Sequence, residues 1–251
     1  MSQDSVRGSR RAVLAVLLLL SLARPTFAQL PEAKYRVFRP DGPGARPAVA
    51  FLSGCDGFAP PNAPTRYERR AEQLRTQGYV VIFVDYLGRR AMKSCGPTVS
   101  HDAAAQDLVA ATAWLKAQAG VDASRITAMG WSYGGRAVLT ALAGQPPTSL
   151  GFSRSVVYYP DCRALRPWKP SLPVLMLLGG DDDMTPPQLC QDAVKQVAAP
   201  ASVKVVVYPG ALHGFDVSEL PAKMRYGFAT MGYHPEAAAA STKEVEQFLR
   251  R

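Results

Sequence analysis

The sequence predicts an α/β domain: a mostly parallel central sheet with helices on both faces. Three observations carry this prediction. From Pro31 onward, short apolar or β-branched runs alternate with stretches of helical character, the pattern of βαβ units whose crossover helices cover both faces of a sheet. No long linker and no internal repeat interrupts that alternation. The composition is ordinary for a globular chain, with 251 residues, 47% hydrophobic and 20% charged. It supplies a sizeable core and lacks the several apolar runs of roughly 20 residues that a multi-span membrane protein needs.

The elements follow in order. Ala48–Leu52 reads as a short strand ending at Ser53-Gly54. Arg66–Gln77 has helical character and is closed by Gly78, a residue that tolerates the left-handed conformation just past a helix end. Tyr79–Val84 has the length and β-branched content of a buried strand, and Asp85 opens the loop after it. Ala103–Ala117 is an Ala-rich helix with Ala104, Leu108, Ala111 and Leu115 on one face, followed by Gly120. Arg125–Met129 reads as a strand, Gly134–Ala143 as a helix, and Ser155–Tyr159 and Val174–Leu178 as strands. Pro187–Ala198 reads as a helix, Val203–Tyr208 as a strand and Pro235–Leu249 as a closing helix.

The amino terminus has a different character. Arg7, Arg10 and Arg11 precede an apolar run from Ala12 to Leu20 that continues through Ser21 and Leu22, and small residues follow at Thr26 and Ala28. This is the order of a secretory signal peptide, and the apolar run is too short to span a bilayer comfortably. Cleavage is expected after Ala28, leaving residues 29–251 as one domain. Ser9-Arg10-Arg11-Ala12-Val13-Leu14 also resembles a twin-arginine export signal. Loss of Met1–Ala28 removes four Arg and one Asp and lowers the formal charge from +9 to +6. The remaining Lys and Arg are scattered rather than stacked on one predicted helix, so neither a nucleic-acid partner nor stable membrane insertion is expected. In an exported chain, periplasmic or secreted, the four cysteines Cys55, Cys95, Cys162 and Cys190 point to disulfides. There is no Cys-x-x-Cys and no His at ligand spacing, so no metal site is expected.

Gly130-Trp131-Ser132-Tyr133-Gly134 fits G-x-S-x-G, after one predicted strand and before a predicted helix. Glycines on both sides of the serine allow a tight strand-to-helix turn that lifts Oγ out of the sheet and frees the next backbone N–H to stabilise an oxyanion. A serine hydroxyl is a poor nucleophile until a base takes its proton, and that base needs an acid to hold its tautomer. On this type of sheet both should lie downstream in strand-end loops, acid before base. Gly179-Gly180-Asp181-Asp182-Asp183-Met184-Thr185-Pro186 and Pro209-Gly210-Ala211-Leu212-His213-Gly214-Phe215 are such loops. The chain has three histidines; His101 and His234 sit at helix starts and read as solvated, which leaves His213 as the base. Thr185 is expected to cap the next helix, with Pro186 or Pro187 in its first turn. Counting back from Pro186 favours Asp182 as the acid, with Asp181 and Asp183 facing solvent or bonded to the loop backbone.

These segments, with Tyr208–Asp216 and Tyr233-His234-Pro235-Glu236-Ala237-Ala238, resemble the dienelactone hydrolase family of the α/β-hydrolase fold over nearly all of the chain after the signal. The resemblance implies a single-domain hydrolase of small carboxylic esters or lactones, working by acyl transfer without a cofactor. Two departures stand out. The founding enzyme has a cysteine nucleophile where this chain has Ser132. The loop Ser53-Gly54-Cys55-Asp56-Gly57 resembles the His-Gly-Cys-Gly-Gly loop of exported relatives, with Ser53 for the histidine and Asp56 for a glycine. That loop is expected to give the second oxyanion donor, the Cys55 N–H or alternatively that of Gly54, beside the Tyr133 N–H. In the resembling fold the strand ends approach in pairs, which implies Cys55–Cys95 and Cys162–Cys190 bridges. Arg89 and Arg90 lie where an arginine of the family can hold a substrate carboxylate, although a surface position suits either. Trp131 and Tyr133 are candidates to line an acyl pocket or to pack around the turn. Rival readings are a secreted polyesterase resembling cutinases, a small peptidase, or a catalytically silent binding module.

Overall fold

The computed structural model describes residues 35–58, 65–96, 99–144, 149–163, 165, 172–197 and 202–251, all within the unit Glu32–Arg251. The expected signal segment Met1–Ala28 lies outside the described residues. In chain order the elements are β1 (Arg36–Phe38), β2 (Arg46–Leu52), α1 (Arg66–Thr76), β3 (Val80–Phe83), α2 (His101–Lys116), β4 (Val121–Trp131), α3 (Tyr133–Gly144), β5 (Arg154–Tyr158), β6 (Val174–Gly179), α4 (Pro187–Lys195), β7 (Val203–Tyr208), β8 (Met224–Tyr226), β9 (Ala229–Met231) and α5 (Pro235–Arg250). Among the described residues no helix is long and apolar enough to cross a membrane.

Seven strands form one sheet in the order β1-β3-β2-β4-β5-β6-β7. Every neighbouring pair is parallel except β1 with β3. The two-residue period of a strand sends alternate side chains to opposite faces, and both faces of this sheet are buried. Ala48, Ala50 and Leu52 of β2, with Val80 and Ile82 of β3, pack toward α2 and α3. Val49 and Phe51, with Val81 and Phe83, pack toward α1 and α5. That double burial is why the central strands read as unbroken apolar runs rather than alternating ones.

The helices start where their caps allow. Thr65 accepts the Glu68 N–H, and the Glu68 carboxylate accepts the Thr65 N–H, a reciprocal capping box. Ser100 accepts the Ala103 N–H to open α2. Gly78 follows α1 at φ +91°, the left-handed geometry expected of that position.

Elements beyond the sequence reading are short. β1 is a three-residue antiparallel edge, and β8 pairs with β9 in a separate hairpin. α4 ends at Lys195, before the predicted Ala198, which lies outside the described residues.

The strand order positions the site. From β2 the chain crosses to β3 on one side, then returns past β2 to β4 on the other. Open α/β sheets bind ligands at such a switch point, outside the carboxyl ends of the strands. Here those ends deliver Ser53-Gly54-Cys55 after β2 and Ser132 after β4.

Candidate active site

Ser132 occupies the sharp turn between β4 and α3 at φ +50°, a conformation that costs a non-glycine residue energy unless its surroundings enforce it. The enforcement is visible: the Ser132 N–H donates to the Tyr158 carbonyl at 2.9 Å, and its carbonyl accepts the Arg136 N–H at 2.9 Å. The flanking glycines are sterically required. A Cβ at Gly130 would lie 2.5 Å from the Gly134 carbonyl oxygen, and one at Gly134 would lie 2.5 Å from that of Leu52.

His213 and Asp182 come to the serine from the loops after β7 and β6. These loops are joined by backbone hydrogen bonds, Gly180 N–H to the Tyr208 carbonyl at 2.8 Å and Asp181 N–H to that of Ala211 at 3.0 Å. His213 Nε2 lies 3.0 Å from Ser132 Oγ, and His213 Nδ1 lies 2.8 Å from Asp182 Oδ2. Asp182 also accepts the N–H groups of Met184 and Thr185 through Oδ1, and the Thr185 hydroxyl through Oδ2. A carboxylate so placed only accepts, so Nδ1 carries the imidazole proton and Nε2 presents its lone pair to Ser132. Both side chains are nearly excluded from solvent, at 3% and 0% exposure.

The neighbouring carboxylates do other things. Asp181 is exposed. Asp183 accepts the N–H and hydroxyl of Thr230 in β9 at 2.7 and 3.0 Å, and these bonds, led by the N–H, hold its pKa below the usual carboxylate value. Thr185 departs from expectation. It is not the helix cap; Pro186 holds that position with no side-chain bond. Its hydroxyl donates instead to Asp182 Oδ2 at 2.8 Å, while its N–H donates to Asp182 Oδ1 at 2.8 Å.

On the other side of Ser132, the Gly54 N–H donates to Tyr67 Oη at 2.8 Å. Among the described residues no such acceptor engages the N–H of Cys55 or of Tyr133. Cys55 is bonded to Cys95, and Cys162 to Cys190, with Cα separations of 4.7 and 5.0 Å. Among the described residues no group of three or more His, Cys, Asp or Glu is arranged to hold a metal.

The remaining sequence candidates are placed as follows. Arg89 and Arg90 both turn to Asp107 of α2, and Arg90 also donates to the Tyr86 carbonyl at 2.7 Å; to hold a substrate carboxylate they would have to share or release Asp107. Trp131 packs into the α1/α5 side of the core between Phe51, Tyr67 and Tyr158, and its Nε1–H donates to Asp216 at 2.8 Å. Tyr133 stacks between Tyr86 and His101 and borders a groove of about 440 Å³ that also includes Val99, Thr140 and Leu165. His101, expected to be solvated, is half-buried against that ring at 4.0 Å, and burial lowers its pKa, with Arg136 acting in the same sense. His234 caps α5, its Nδ1 accepting the Ala237 N–H.

The chain matches the model of the dienelactone hydrolase family over residues 34–251. It is 33% identical over 192 residues to uncharacterized proteins from two strains of Mycobacterium tuberculosis, covering 68% of this chain and 64% of each relative. It thus spans less than two thirds of the length of the curated relatives it matches. Among solved structures, a chain from Klebsiella pneumoniae subsp. pneumoniae described as a dienelactone hydrolase superposes with a TM-score of 0.67 at 20% identity, over 85% of this chain and 90% of that one. Esterase Est2 of Thermogutta terrifontis with propionate bound gives 0.61 at 19% identity, over 86% and 88%. At these identities the likeness to the solved structures is one of fold.

Proposed function

The chain belongs to the dienelactone hydrolase family, and from that membership and the geometry around Ser132 we propose that it is a serine hydrolase of carboxylic esters or lactones. The observation that carries the reading is the unbroken hydrogen-bond line from Ser132 Oγ through His213 to Asp182. In this mechanism Ser132 Oγ attacks the ester carbonyl while His213 Nε2 takes its proton. Asp182 holds the imidazole in the required tautomer and stabilises the imidazolium. The N–H groups of Tyr133 and Cys55 receive the developing oxyanion, a role supported by the lack of another acceptor for either among the described residues. Collapse passes the proton from His213 to the leaving alcohol, and water activated by the same base releases the acid.

The chemistry asks nothing of a cofactor: nucleophile, base, acid and oxyanion donors are all supplied by the chain. Membership of the family favours small-molecule esters as substrates. Export to the periplasm or beyond fits the two bridges, since disulfides persist in oxidising compartments.

Hydrolysis of short p-nitrophenyl esters by wild type and by Ser132→Ala tests the reading. A loss of about 10³-fold or more in kcat is expected where nucleophile and base act as a unit, together with loss of labelling by a fluorophosphonate probe. Equal rates would refute it.

A further inference from the structure

Two tyrosines grip the loop after β2 from opposite faces of the sheet. Tyr67, in α1, is fully buried in the core on the α1/α5 side. Tyr86, in the loop after β3, is equally buried on the α2/α3 side. Tyr67 Oη accepts the Gly54 N–H at 2.8 Å and the Arg66 guanidinium, and it donates to Asp56 Oδ1 at 2.8 Å. A phenol has one proton and two lone pairs, so its capacity is filled. Tyr86 Oη lies 3.1 Å from both the Ser53 and Gly54 carbonyl oxygens, and its single proton is shared between them.

The consequence falls on one peptide plane. The Gly54 carbonyl and the Cys55 N–H belong to the same trans peptide and point in opposite directions. Holding the carbonyl on Tyr86 therefore holds the Cys55 N–H away from Tyr86. A Cβ built on Gly54 would lie 3.5 Å from Ser132 Cβ, which places this plane directly beside the nucleophile. Flipping it would exchange an N–H for a carbonyl at the oxyanion position and replace attraction by repulsion. Gly54, without a Cβ, is the residue most able to make that flip.

We propose that Tyr67 and Tyr86 are positioning residues that lock the Ser53-Gly54-Cys55 backbone with its Cys55 N–H presented to the oxyanion, Arg66 and Asp56 fixing the Tyr67 phenol. The assignment rests on the serine-hydrolase reading above and specifies what preorganises its oxyanion hole. It also gives a task to Asp56, the residue that stands where resembling loops carry glycine: its carboxylate accepts both Tyr67 Oη–H and the Arg66 guanidinium, at 3.3 Å. Burial disfavours the Arg66 cation, but the Asp56 and Asp216 carboxylates nearby, and the Tyr159 and Tyr67 phenol oxygens that accept from its guanidinium, outweigh that cost.

The test compares Tyr86→Phe, Tyr67→Phe and the more exposed Asp56→Asn with wild type. The readouts are kcat and KM on a short p-nitrophenyl ester, and inhibition by an alkyl trifluoromethyl ketone whose hemiketal oxygen occupies the oxyanion position. Loosening one donor should cost less than deleting it, so kcat is expected to fall about 10- to 100-fold for Tyr86→Phe. KM should stay near wild type, and the ketone's affinity should weaken by the same factor as kcat/KM. Tyr67→Phe should lose less, and Asp56→Asn least. Thermal melting identifies any variant that does not fold, and the exposed Asp56→Asn then carries the comparison. Wild-type kcat and ketone affinity in the folded variants would overturn the lock. So would a fall in kcat with ketone affinity unchanged, which a merely structural loss gives. An active Ser132→Ala protein sinks the underlying hydrolase reading; an inactive one beside unaffected tyrosine variants sinks only the lock.

Discussion

The two sides of Ser132 are built by different means. On the proposed acid–base side, Asp182 is held chiefly by its own loop, through Met184 N–H, Thr185 N–H and the Thr185 hydroxyl, all within three residues. On the proposed oxyanion side, the loop is held by side chains far along the sequence, Gly54 by Tyr67 and by Tyr86. The first arrangement is a short-range turn that fixes a side chain; the second is a tertiary bracket that fixes a backbone. A turn of this kind tolerates change elsewhere in the molecule, whereas the bracket depends on α1, β3 and the sheet meeting in register.

The largest effect expected from this contrast lies on the acid–base side. Asp182→Asn keeps the side chain's shape but offers an amide where the imidazole needs a pure acceptor, so His213 can settle in the wrong tautomer. A loss in kcat of about 10⁴-fold is expected, with the fold intact. Steady-state kinetics and circular dichroism check it, and a loss under about tenfold would mean that the local turn does not govern the base.

The bridges sharpen the same contrast with a smaller effect. Cys55–Cys95 pins the loop that carries the proposed oxyanion donor, while Cys162–Cys190 ties the segment after β5 to α4. Each closes a loop, of 40 and 28 residues respectively, so replacing either pair by serine should cost about 2–4 kcal/mol in denaturant unfolding. The outcomes should separate in catalysis: Cys55→Ser with Cys95→Ser lowers kcat as well, because Cys55 carries a proposed donor N–H, and Cys162→Ser with Cys190→Ser leaves kcat near wild type. Equal kcat losses in both pairs would erase the distinction.

The same division decides what could be read from the sequence. The turn at Ser132 and the Asp182 and His213 loops, which carry the proposed triad, could be located because each is a contiguous stretch bounded by glycines and prolines after a recognisable buried strand. That Asp182, of three adjacent carboxylates, would be the one to meet His213 could be read from loop position, although Thr185 turns its hydroxyl to Asp182 and Pro186 takes the cap position. The roles of Tyr67 and Tyr86 were not legible. Either tyrosine reads as core, and only the three-dimensional approach of α1 and the β3 loop brings their hydroxyls to the backbone of residues 53 and 54. Asp56 gave a partial signal as an unusual carboxylate in a glycine-rich loop, but its partner Arg66 looked like any helix-start arginine. β1 escaped because three residues are too few for a period, and the β8–β9 hairpin because its turn at Gly227-Phe228 joins strands of only three residues.

The smallest expected effect is a pH dependence of stability arising at His101, beside the proposed donor Tyr133. His101 stacks on Tyr133, whose N–H is the other proposed donor, and its pKa lies below 6.5 because burial disfavours the cation. Arg136 adds repulsion, and Asp161 and Asp102 offset part of it. The unfolded chain, with an imidazole near the free value of about 6.5, therefore takes up the proton before the native state does. The stability His101 contributes is complete above that free value and is lost as pH falls through the lower native one. Melting temperatures followed from pH 7.5 down to 5 should fall for wild type, and His101→Phe, which keeps a ring against Tyr133, should lack that part of the decline. Parallel curves for the two proteins would remove His101 as the source of that decline.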